Sequence, residues 1–141
     1  MPANKYLVPV DFSKSSVKAL RYAAALATKS RNPSLLVLHV ITESAAHVPF
    51  YLREKFYAEL EQSARKRIAA LLKRNSAMID SRIVLLQASD PAEAISGQAK
   101  KSRVSMIVMG SHGKTGLKRL VLGSVAEKIL SSVACPVLII K

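Results

Sequence analysis

Five short hydrophobic runs punctuate the chain, at residues 6–10, 35–41, 82–86, 105–109 and 136–140. Each is brief, rich in Val, Ile and Leu, and nearly continuous rather than alternating, the pattern of strands covered on both faces. The segments between them follow a helical period. Ser13 is placed to cap a helix with apolar positions at Val17, Leu20, Ala24 and Ala27, ending near Asn32 and Pro33. Leu52, Phe56, Leu60, Ala64, Ile68 and Leu72 recur at every fourth position and predict a long amphipathic helix. Asp90-Pro91-Ala92-Glu93 joins a capping residue to a proline at the first helical position. Ser124-Val125-Ala126-Glu127 has the spacing of a capping box that opens the last helix.

Strand and helix therefore alternate from end to end, without a linker, a repeat or a low-complexity tract. This order predicts a single domain over residues 1–141, an α/β doubly wound fold whose five-stranded parallel sheet has helices on both faces. Ligands of such folds sit beyond the carboxyl ends of the strands, where the strand order reverses.

Composition narrows the picture. At 141 residues the chain can bury roughly 70% of its unfolded surface, and a hydrophobic share of 50% with 22% charged residues is that of a globular domain. The apolar runs are far shorter than the ~20 residues of a membrane span. The N-terminus lacks the pattern of a secretory signal, so a cytoplasmic location is expected. Cys135 is the sole cysteine, which excludes an internal disulfide and a Cys-based zinc site, and His39, His47 and His112 have no metal-ligand spacing. The net charge of +13, from 22 Lys and Arg against nine Asp and Glu, favours anionic partners. With aromatics at only 5%, no stacking platform for nucleic acid is evident.

Two places beyond strand ends carry candidate chemistry. Pro9 has no amide for a ladder hydrogen bond, so pairing on one side of the first strand should end there and leave Asp11 at the sheet edge. The Asp11 carboxylate can accept hydrogen bonds from a ribose or an adenine amino group, or it can cap the next helix. The fourth strand runs into GSHGKTGLKRLVLGS, residues 110–124. Gly113-Lys114-Thr115 resembles the end of a P-loop, but that rule needs glycine where Val108 stands. The spacing present is G-x2-G-x9-G-S, formed by Gly110, Gly113, Gly123 and Ser124. Gly110 and Gly113 can turn amides toward an anion, while Gly123 and Ser124 set the free amides of a helix N-terminus beside them. His112 can add a polar contact, and Gly116 falls outside the spacing. Ser124 is equally explained as a helix cap.

Those segments resemble the universal stress protein family along essentially the whole chain. The residues concerned are 7–13, 38–40, 107–113, 123–126 and 135–140. The complete glycine motif resembles the branch of that family that binds ATP. The resemblance implies strand order 3-2-1-4-5 and a homodimer paired through Val137–Ile140. It also implies an adenosine pocket lined by Pro9, Asp11 and Val40. Gly110, Gly113, Gly123, Ser124 and Val125 would lie along the ribose and phosphates, with any Mg2+ carried mainly by the phosphates. ADP or AMP could take the place of ATP. Ser89 stands where many relatives have glycine, and its side chain would narrow the pocket mouth. The function implied is a stress-response or signalling module. A slow ATP hydrolase and a charge-driven binder of nucleic acid or acidic partners are the alternatives.

Overall fold

The computed structural model describes residues 4–76, 78–112 and 122–141. Strand β1 (Lys5–Pro9) is followed by α1 (Lys14–Ala27), β2 (Ser34–Ile41), α2 (Arg53–Asn75), β3 (Asp80–Gln87), α3 (Pro91–Ser102), β4 (Met106–Gly110), α4 (Ser124–Ser132) and β5 (Val137–Ile140), with one short 3-10 turn at Phe50–Leu52. The strands form one sheet in the order β3-β2-β1-β4-β5, and all four neighbouring pairs are parallel. Every predicted hydrophobic run falls on a strand, displaced by no more than two residues at an end.

Alternation along β1 divides the core in two. Tyr6 and Val8 face a cluster with Leu20, Ala23 and Ile68, on the side of α1 and α2. Leu7 faces the opposite cluster, with Ile95 and Ala99 of α3 and Ile129 of α4. Burial on both faces is why the strands read as continuous apolar runs.

Three local expectations are revised. Helix α1 ends at Ala27 with Thr28 as its cap, several residues before Pro33. Its C-terminal turns are closed by Lys29 and Ser30 amides bonded to Leu26 and Ala27 carbonyls, and Asn32 takes a left-handed conformation at φ 49°. Of the six-residue stripe on α2 only Ala64 and Ile68 are buried, and Leu52 is 41% exposed. The reason is length: 23 residues of helix span ~34 Å, whereas the eight residues of β3 span only ~27 Å. The N-terminal turns of α2 therefore overhang the sheet. Finally, the N-cap of α4 is Gly123, with extended backbone at φ −63° and ψ 157°, and Ser124 is already the first helical residue. The Ser-x-x-Glu spacing is present, but one position inside the helix, so it does not form a capping box.

The expectation for Pro9 holds. β1 pairs with β2 through Pro9↔Leu38, whereas its pairing with β4 stops at Leu7↔Ile107. The sheet thus splits between β1 and β4, where the strand order reverses.

Candidate functional site

At that split a cavity of about 380 Å³ opens beyond the carboxyl ends of the strands. Its walls come from β1, β2 and β4 on one side and from α3 and α4 on the other. Leu38, Val40, Ile95, Met109, Val125 and Ala126 make it largely apolar. The volume lies within the range of small-molecule sites, and an apolar wall with a few polar groups is the usual composition of such a pocket.

Asp11 lies on this wall. Its Oδ1 accepts a hydrogen bond from the Ser13 amide at 2.9 Å, which orients the carboxylate across the start of α1. Capping itself falls to Ser13, whose Oγ accepts from the Ser16 amide at 3.2 Å. The two roles left open for Asp11 are thereby separated. One oxygen secures the turn, and Oδ2 makes no hydrogen bond to a described residue.

The turn between β1 and α1 is held from behind by three stacked side chains. Phe12 adopts a left-handed backbone at φ 68°, a conformation costly for a bulky residue. The guanidinium of Arg67 lies 3.7 Å from the centre of its ring. On the Phe12 ring also packs His39, at a centroid distance of 4.9 Å. His39 Nδ1 in turn donates to the Val10 carbonyl at 2.7 Å. The chain direction after Asp11 is thus set by contacts from α2 and β2.

On the opposite lip, the Gly123 amide donates to the Ser111 carbonyl at 2.7 Å. This bond brings the two ends of the glycine-rich stretch together, as its spacing suggested. It also occupies the Gly123 amide. The first intrahelical bond of α4 runs from Glu127 to Gly123, so the amides of Ser124, Val125 and Ala126 have no partner within the helix. A helix end of this kind favours an anion.

Gly110 has a different reason to be glycine from the one its motif suggests. A Cβ there would lie 2.7 Å from the Ser15 carbonyl carbon and 2.8 Å from the Ser16 amide nitrogen. The first turn of α1 fills that space, and the Ser15 hydroxyl reaches past it to the His112 carbonyl at 2.7 Å. His112 Nδ1 lies 2.8 Å from Ser111 Oγ.

Of the nine residues singled out in the sequence, Pro9, Asp11, Val40, Gly110, His112, Gly123 and Val125 line the cavity. Ser124 lies outside its lining and is exposed. Gly113 lies outside the described residues, as do Lys114, Gly116, Lys118 and Arg119. Ser89 does not narrow the mouth; it lines a separate groove with Gly97 and Lys101. Pocket residues missed by the motif include Thr42 and Glu43 after β2, and Pro91 and Ile95 of α3. The rule that ligands sit beyond strand ends marks the first pair, because β2 borders the split. Nothing local marks Ile95, an ordinary apolar residue on a helix face.

Comparison with known proteins agrees with this architecture. Residues 3–141 match the model of the universal stress protein family. Universal stress protein YxiE of Bacillus subtilis is 35% identical, over 98% of this chain and 99% of its own length. The solved structure of MJ0577 from Methanocaldococcus jannaschii superposes with a TM-score of 0.87 at 30% identity, covering 98% of this chain and 95% of that one. A universal stress protein from Archaeoglobus fulgidus, solved in complex with dAMP, shares the fold at 21% identity and a TM-score of 0.65, with 97% of each chain covered.

Proposed function

This chain belongs to the universal stress protein family, and from that premise we propose that it is an adenine-nucleotide-binding stress or signalling module that binds ATP in the cavity between β1 and β4. The observation that carries the reading is the pairing, in one cavity, of an apolar slot with two polar ends. The slot between Val40 and Ile95 takes the flat base. Asp11 Oδ2 accepts from a ribose hydroxyl or from the adenine amino group, and the free amides of Val125 and Ala126 in the cavity wall, with that of Ser124 just outside it, receive the phosphates. Mg2+ travels on the phosphates, because the described residues contain no group of three ligating side chains to hold it apart from them. The same reading has the protein working in the cytoplasm as a homodimer joined through β5.

Isothermal titration tests the proposal. ATP should bind with measurable heat, and AMP more weakly because it reaches fewer of the α4 amides. Asp11→Asn keeps an acceptor for the Ser13 amide but removes the charge that a sugar or amino donor meets. It should weaken ATP binding roughly tenfold or more, the value of a charge-assisted hydrogen bond. No heat at millimolar ATP with the wild-type protein would sink the idea.

A further inference from the structure

Among the described residues, net positive charge is concentrated at the end opposite the cavity. In a parallel sheet whose crossovers are helices, all strand starts and all helix C-termini gather on one edge. Here Lys5 opens β1, Arg82 lies near the start of β3, Lys101 is in the last turn of α3, and Arg103 follows it. These four cations line one open groove of about 840 Å³. Around it on the same edge stand Lys29, Arg31, Lys73, Arg74 and Lys100. The single carboxylate at this end is Asp80, which is exposed at the start of β3. The other eight lie in the first halves of helices or in the connections beyond the strand ends.

Helix chemistry explains only part of this. Lys73, Arg74, Lys100 and Lys101 occupy final turns, where a cation complements the helix dipole. Arg103, the C-cap of α3 in a left-handed conformation at φ 50°, belongs to the same helix-end set, but dipoles do not call for Lys5 or Arg82 on strands. Among the described residues the only carboxylate ion pair is that of Lys128 with Asp90, at the other end. The Lys5 Nζ rests on the Ser102 carbonyl at 3.1 Å and so stays at the groove wall.

We propose that this groove and its basic edge bind the phosphodiester backbone of nucleic acid without reading sequence. Val84, Leu86 and Val104 also line the groove, but none of them is exposed, whereas Arg82, Lys101 and Arg103 project from it. Among the described residues the exposed large hydrophobics of this edge are Met78 and, in the last turn of α4, Leu130; of the exposed aromatics, Tyr22 lies outside the groove on α1, and Phe50 and Tyr51 are at the other end. Insertion into a lipid surface needs apolar side chains, and base stacking needs aromatics. Phosphate contact needs neither. Lys5 and Arg82 lie on strands two spacings apart, about 10 Å. A duplex carrying a charge every ~1.7 Å of its axis meets all four cations at once.

The test is a fluorescence-anisotropy titration of a labelled duplex of about 24 base pairs, repeated from about 50 to 200 mM salt. Binding should weaken steeply with salt. The triple variant Arg82→Gln, Lys101→Gln, Arg103→Asn should flatten the log–log salt slope by about 2–3 and weaken binding at least tenfold, because each lost phosphate contact removes about 0.9 from the slope. Asn at position 103 tolerates the left-handed backbone. Lys101→Gln alone should flatten the slope by about 0.9, which keeps the test open if the triple variant is unstable. The control, Lys14→Gln, Lys18→Gln, Lys55→Gln, removes the same charge from exposed sites nearer the other end and should change the slope little. Three results overturn the proposal: no duplex binding at low salt, an equal loss in both triple variants, or groove-dependent binding to poly-glutamate or phosphatidylserine vesicles without binding to the duplex.

Discussion

Gly110 shows how one residue can satisfy a motif for a reason the motif does not state. It heads the glycine spacing of the fourth strand, and the phosphate reading gives its missing Cβ to the ligand. In the fold that space is taken by backbone atoms of Ser15 and Ser16, which cannot swing aside as a side chain can. Gly110→Ala should therefore destabilise the protein by about 1–3 kcal/mol through overpacking, with or without nucleotide. Urea unfolding of the ligand-free variant measures this, and an unchanged midpoint would return the glycine requirement to the ligand. Asp11 was legible at the same scale because topology alone puts it at the sheet edge. Its division of labour was not, since which oxygen holds the Ser13 amide depends on the path of the turn through Phe12. That path is set by Arg67, which lies 55 positions further along the chain.

The two serines that the sequence offers as helix caps behave differently. Ser13 has extended backbone at φ −67° and ψ 158°, and its hydroxyl accepts an amide of the first turn. Ser124 follows the actual cap, Gly123, and lies inside α4. Ser13→Ala should cost about 1 kcal/mol, the usual loss for a side-chain cap. Ser124→Ala should cost only a few tenths, as surface substitutions inside helices do. Thermal melts of the two variants without nucleotide decide the matter, and equal losses would restore Ser124 as the cap. The spacing rule failed here by one residue because a glycine with extended backbone serves as a cap almost as well as serine does. The helix then begins wherever the Ser111–Gly123 bond brings the chain back to the body. Element type was readable from period throughout, since strands buried on both faces and helices buried on one produce different patterns. Helix ends were less so, because α1 stops at Ala27 under turn hydrogen bonds that leave no hydrophobic trace.

At the scale of the molecule, alternating elements conveyed the sheet, and the split beside Pro9 conveyed where it opens. The net charge was visible in the composition, but its gathering on the edge of strand starts required the topology. The other open edge of the sheet is β5, all four of whose residues are half-buried. Ile107 donates to the Pro136 carbonyl and Ser111 to the Ile140 carbonyl. Alternation along the strand therefore turns the backbone groups of Leu138 and Ile140 toward β4, and those of Val137 and Ile139 outward. An unpaired edge of this kind is a template for a second strand, the arrangement that the proposed homodimer uses. Ile139→Pro removes an outward amide while leaving the β4–β5 ladder its donors, and proline is tolerated on an edge strand with its nitrogen facing away from the sheet. Sedimentation equilibrium should find the wild type as a dimer and Ile139→Pro as a folded monomer. A variant that stays dimeric would move the subunit contact to another surface.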